Sequence, residues 1–250
     1  MTAKDYTKYN FSSIQIILYT CAYFGIAAVY SSLFYDSVIP AFISLLLIKI
    51  YFKFLREHLI NKQKEELLSQ FKEWLFSINS SLMSGYALEN AIYESLNELE
   101  TLFGKKSYIY QEVYLMTNKI KLNYSLDIIL EDFAIRSGLH DVNTFSQVIT
   151  LVKKNGGDMI SVIKNASENI GEEISLKNQI NTIVSSSKYE LYIMAIFPLV
   201  IIVYIDFTQP GFFEPLYHNL FGICVMTVCL GVYFASLVLA NKILKISRRF

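Results

Sequence analysis

The sequence predicts an all-α membrane protein in which apolar spans at both ends flank a polar helical block. Three observations carry that fold class. Hydrophobic residues make up 53% of the 250 and the mean hydropathy is +0.36, too apolar for an ordinary soluble domain. The apolar excess sits toward the two ends of the chain. Between them, residues 56–188 contain no proline and repeat their apolar residues at spacings of three and four, the period of a helix with one buried face. The expected architecture is polytopic, with about four transmembrane helices and a central cytoplasmic helical bundle. It divides into an N-terminal transmembrane hairpin at 1–55, a helical domain at 56–188, and a C-terminal hairpin with a basic tail at 189–250.

Residues 11–35 carry no charged side chain and are long enough to cross a hydrocarbon core of about 30 Å. Lys4 and Lys8 precede them as they would precede a secretion signal, but the stretch is too long for a signal core and leads straight into a second apolar run. It reads as a retained anchor. The second run, residues 38–55, holds Lys49 and Lys53 near one end, where long side chains can reach the headgroups. Residues 191–207 and 220–240 supply two further spans.

In the central block, Leu59, Leu67, Leu68, Phe71, Trp74, Leu75, Ile78 and Leu82 form a stripe on a first helix that stops at Gly85. A second helix runs from about Leu88 to Leu102 and stops near Gly104, and a third spans roughly 108–122. A fourth starts after a Ser125 cap and ends at Gly138, a fifth ends at Gly156 and Gly157, and Asp158 caps the last. That last helix meets no breaker before Pro198, so it is expected to run on into the third span as one rod. Three phrases look alike: SGYALENAI from Ser84, LNYSLDIIL from Leu122 and NGGDMISVI from Asn155 each place turn-forming residues just before a restarting helix. Gly85, Asn123 and Gly156 lie at irregular intervals close to a solenoid period, but the aromatic and proline signature of such repeats is missing, which favours a compact bundle.

Lysine and arginine are absent from residues 10–47 and from residues 189–241. They cluster instead at Lys4 and Lys8, at Lys49, Lys53 and Arg56, at Lys188, and at Lys242, Lys245, Arg248 and Arg249. Positive charge marks the cytoplasmic side, so both termini and the central block are expected there.

Catalytic motifs are scarce. GKKS at Gly104 imitates the end of a phosphate loop, but Leu99 stands where the first glycine belongs and no strand precedes it. His58, His140 and His218 are far apart, and none has a second histidine at metal spacing. His140 beside Asp141 suits a helix start. Cys21, Cys224 and Cys229 fall in apolar spans and lack the paired spacing of a zinc site. No enzyme activity, cofactor or metal is expected, and a central block with more acidic than basic residues offers no footprint for nucleic acid. Glu89, Glu94, Glu98 and Glu100 share a helix that has no lysine or arginine, which makes it either a solvated face or, through Glu94 and Glu98, a docking face for a basic partner.

The segments FKEWLFSINSSLMSGYALENAI and NYSLDIILEDFAIRSGLHDVNTFSQVITLVKKNGGDMISVIKNASENI, with ISLKNQINTIVSSSKYELYIMAIFPLVIIVYI after them, resemble the F domain of type II secretion and type IV pilus systems, especially its TadB-like branch. The resemblance covers about 67–245 and rests on the order of elements. It implies a platform protein of the bacterial inner membrane, serving a Tad (Flp) pilus or a related machine. Such a protein would contact a hexameric secretion ATPase, handle pilin subunits, and associate with itself or with a second platform protein. The resemblance places family turns at Gly85, Gly156 and Gly157, with Asn123 where glycine is usual and Gly138 as a further turn; with an ATPase as partner, the docking reading of the acidic helix would place the contact at Glu94 and Glu98. Two other classes fit a polytopic chain. A membrane enzyme would draw on the few polar residues of the spans, such as Gln15, Thr20, Thr227 and Ser236, and a transporter would need broken helices, of which only Pro198 gives a sign.

Overall fold

The computed structural model of the chain describes residues 4–9, 11–37, 40, 42, 44–155, 157–217 and 219–246. Apart from turns and short extended segments these residues are helical, with no strand among them. In chain order the helices are α1 Ser13–Tyr35, a 3-10 turn Ser44–Leu47, α2 Ile48–Met83, α3 Leu88–Phe103, α4 Tyr108–Lys121, α5 Leu126–Ser137, α6 His140–Asn155, α7 Met159–Thr208, the short α8 Glu214–Tyr217 and α9 Leu220–Ile246. The chain divides into two compact units, one of Met1–Asn10 with Phe54–Ser175 and the other of Phe11–Lys53 with Leu176–Phe250.

Among the described residues, three helical segments are long and apolar enough to cross a membrane: Ser13–Tyr35, Tyr189–Thr208 and Phe221–Ala240. The sequence predicts about four. Residues 38, 39, 41 and 43 of the second expected span lie outside the described residues, and α2 mixes charge into its apolar residues from Lys49 onward. In α7 the helix is continuous from Met159 to Thr208, with Pro198 inside it. Proline has no N–H to give the carbonyl of Met194. One residue along, the Tyr233 hydroxyl donates to the Ala195 carbonyl at 2.7 Å, so a neighbouring helix supplies a donor at the point where the ladder is weakened. With its proton so used, Tyr233 accepts from Tyr30 at 3.2 Å, and the three segments share one hydrogen-bonded chain.

The first unit is built on α2. Seven of the eight predicted stripe residues are buried, and Leu59 is half-buried. Phe71 meets Phe133 and Phe145 with ring centroids 6.0 and 5.5 Å apart, which draws α5 and α6 onto the same core. Trp74 donates its indole N–H to Ser95 on α3 at 3.0 Å, satisfying a polar atom that burial would otherwise strand. Gln70 accepts the backbone N–H of Ile109 at 3.1 Å, closing one of the open donors at the start of α4. Helices α3 with α4, and α5 with α6, form two successive hairpins against this stripe.

Two of the three similar phrases have the same backbone geometry. At the end of α2, Tyr86 N–H returns to Ser81 and Gly85 N–H to Leu82; at the end of α4, Tyr124 N–H returns to Lys119 and Asn123 N–H to Ile120. Both are six-to-one closures around a left-handed residue, with φ +89° at Gly85 and +61° at Asn123. Asparagine substitutes for glycine because its short polar side chain tolerates that region. Beyond each turn the chain is extended at Ala87 or Ser125, and a buried leucine, Leu88 or Leu126, opens the next helix. Ser125 occupies the expected cap position but makes no side-chain cap bond, whereas Asp158 accepts Ser161 N–H at 3.1 Å. In the third phrase, Gly156 lies outside the described residues.

Candidate functional site

Glutamates 89, 94, 98 and 100 all lie on α3, and tertiary packing changes what each offers. Lys153 from α6 pairs with Glu89 at 3.0 Å, and Lys105, just past the helix end, pairs with Glu100 at 3.2 Å. Burial alone would raise the pKa of Glu89, but its own backbone N–H and the Lys153 ammonium outweigh that and hold it below the usual range. Glu98 accepts a short hydrogen bond from the buried Ser77 hydroxyl of α2. Glu94 is exposed and makes no hydrogen bond or ion pair among the described residues. The helix itself carries no lysine or arginine, but α6 brings Lys153 to Glu89 and the following turn brings Lys105 to Glu100. Of the two docking candidates, Glu94 is open while Glu98 is also a structural acceptor.

The turn residues fall into two groups. Gly85, Asn123 and Gly138 have positive φ, +89°, +61° and +58°, and each ends a helix. A Cβ on Gly138 would also meet the Lys64 ammonium at 2.8 Å and the Thr7 methyl at 2.9 Å. A Cβ on Gly157 would lie 3.1 Å from Val152 Cγ1, so that turn packs closely against α6. Gly104 ends α3 at φ +75° and Ser107 caps α4 by accepting Tyr110 N–H at 3.4 Å, so GKKS is a helix-to-helix turn.

The densest polar cluster of the first unit went unrecognised in the sequence. Glu112 on α4 is buried, and Arg136 on α5 grips both its oxygens, Nη1 to Oε1 at 2.8 Å and Nη2 to Oε2 at 2.7 Å. Arg136 Nε donates to Asp132 at 3.2 Å, and Lys119 reaches the same carboxylate oxygen at 2.7 Å. Residues 4–9 lie across this cluster. Tyr6 is wholly buried, its hydroxyl donating to Glu112 at 3.0 Å and its backbone N–H to the Arg136 carbonyl at 2.9 Å. Arg136 Nη1 donates in return to the Lys4 carbonyl at 3.0 Å. Desolvation raises the Tyr6 phenol, which stays protonated and donates. No short-range motif marks these residues, whose partners lie up to 132 positions apart.

Two clefts flank α6. One, of about 380 Å³, is lined by Asp127, Glu131, Gln147 and Lys154 among others; the second, of about 350 Å³, lies between α6 and α7 and takes in His140, Asp141, Asn165 and Asn169. His58 and His140 are exposed, His140 begins α6 as its place beside Asp141 suggests, and His218 lies outside the described residues. Cys21, Cys224 and Cys229 are exposed on their helices and not packed inside them. Among the described residues no three of His, Cys, Asp or Glu gather as metal ligands would. Compared with protein-family models, with curated proteins and with solved structures, the chain matches none.

Proposed function

We infer that the chain is a platform protein of the bacterial inner membrane, in a Tad-type pilus or a related type II secretion-like machine, coupling a cytoplasmic ATPase to the assembly of pilin subunits. The observation that carries this reading is α7, a single helix that begins among the core residues of the helical unit, at Ile163 and Ile170, and ends as a membrane-length segment, Tyr189–Thr208. One continuous helix is a plain means of passing a displacement along its length, since its ladder runs on past Pro198 with the loss of one internal hydrogen bond. The order of elements supports the reading too, with apolar helices on either side of a helical unit whose turns fall at Gly85, Asn123 and Gly138. In this reading residues 38–55 form a fourth span, both termini and residues 56–188 are cytoplasmic, and Glu94 with Glu98 meets the ATPase. A second platform protein or a second copy would complete the assembly.

Purification in mild detergent, followed by mass spectrometry of whatever comes with the protein, tests the proposal. A hexameric secretion ATPase or a pilin is the expected companion. Recovery of neither from a correctly folded preparation, under conditions that keep other membrane complexes together, would overturn it.

A further inference from the structure

We propose that residues 4–9 are a releasable strap, seated by Tyr6 in a socket made by Glu112, Arg136 and Tyr108, and able to leave that socket while the helices beneath stay folded. The strap has its own local shape. The Asp5 carboxylate accepts both the backbone N–H of Thr7 at 2.9 Å and its hydroxyl at 2.5 Å, a turn that aims Tyr6 inward. The Tyr6 ring meets Tyr108 edge to face at 5.7 Å, and the Lys4 ammonium sits 4.4 Å from the Tyr108 ring centroid.

Two features make the seat a latch, although Tyr6 itself belongs to the buried cluster of the first unit. The first is electrostatic. Glu112 keeps both hydrogen bonds from Arg136 when Tyr6 leaves, and Arg136 keeps Asp132, so departure strands no buried charge. The backbone groups released, Tyr6 N–H and the Lys4 and Arg136 carbonyls, return to water. The second is entropic. Tyr6 is the one strap side chain buried outright and Tyr9 is half-buried, while residues 4, 5, 7 and 8 are exposed, so the ordering of the whole segment opposes the burial of little more than one ring. Segments of that balance open well before the core does.

Native-state hydrogen exchange on the full-length protein in lipid nanodiscs tests this. In the wild type, residues 4–9 should exchange faster than residues 67–78 of the core but slower than in an unstructured peptide. Tyr6→Ala should speed exchange of residues 4–9 about tenfold and leave residues 109–136 unchanged. Tyr6→Phe keeps the ring and loses the bond to Glu112, so it should give a smaller increase confined to the same segment; it also decides the matter if the alanine variant does not fold. Exchange of the strap in step with residues 67–78, no response to either variant, or faster exchange spreading through residues 109–136 would overturn the proposal.

Discussion

Arg136 holds both carboxylate oxygens of Glu112 across the junction of α4 and α5, between the two hairpins, at 2.8 and 2.7 Å, with Glu112 only 1% exposed and Arg136 15%. A buried ion pair is a weak source of net stability, because taking two charges out of water offsets most of their attraction. Its geometry matters more than its strength here, since it fixes the register of two helices and provides the seat for Tyr6.

Removing one partner should therefore cost far more than replacing both. Arg136→Ala leaves Glu112 buried and unpaired, and should destabilise the protein by about 3 to 5 kcal/mol. The double variant Glu112→Leu with Arg136→Met should be more stable than Arg136→Ala alone. Denaturant unfolding of the full-length protein in detergent, followed by Trp74 fluorescence, measures both. Equal loss in the two variants would mean that the pair acts through packing.

Acid should loosen the same junction. Burial alone would raise the pKa of Asp132, but the Lys119 and Arg136 donors outweigh it, so its folded-state pKa lies below the ordinary 3.8. A depressed carboxyl stabilises the fold above its unfolded pKa, and that contribution fades as pH falls from there through the folded value. Stability should thus decline below about pH 4, and Asp132→Asn should lower stability at neutral pH while flattening that decline. Thermal midpoints taken from pH 6 to pH 3 decide it.

The matched turns at Gly85 and Asn123 should accept the same exchange. Gly85→Val should destabilise by roughly 1 kcal/mol or more, because a β-branched residue resists positive φ. Gly85→Asn should cost clearly less, since Asn123 already closes the same motif. Asn123→Val should resemble Gly85→Val. Thermal unfolding that ranks asparagine with valine at position 85 would show that the turn depends on something other than φ.

Topology is open to direct labelling. In a background without native cysteines, Thr208→Cys and Glu214→Cys should react with a membrane-impermeant thiol reagent in intact cells, and Lys105→Cys and Asn155→Cys should not. Equal labelling of all four would contradict the proposed orientation.

The acidic helix gives a graded test of docking. Glu94→Lys together with Glu98→Gln should weaken pull-down of a hexameric secretion ATPase; glutamine keeps an acceptor for Ser77, so the fold is spared. Glu100→Lys should do less, because Glu100 already pairs with Lys105. Added salt should weaken the wild-type contact, as exposed charges are screened. Unchanged binding by the double variant, with normal circular dichroism, would return this face to solvent.

The sequence by itself determined what depends on near neighbours along the chain. The stripe from Leu67 to Leu82, the membrane-length apolar runs at both ends, and the turns at Gly85, Asn123 and Gly138 follow from helical period, span length and backbone preference, each acting over a few residues. Residues 38–55 were less legible, because Lys49 and Lys53 blur an apolar run that is short to begin with. Tertiary structure alone decided the pairings. Nothing near Tyr6 points to Glu112, 106 residues away, nor does anything near Glu89 point to Lys153, 64 away. A tyrosine in a polar segment and a run of glutamates carry no periodicity that names a partner. Which charges meet is settled only when α4, α5 and α6 pack on α2, because a charge pair acts through distance in space, and position in the chain does not set that distance.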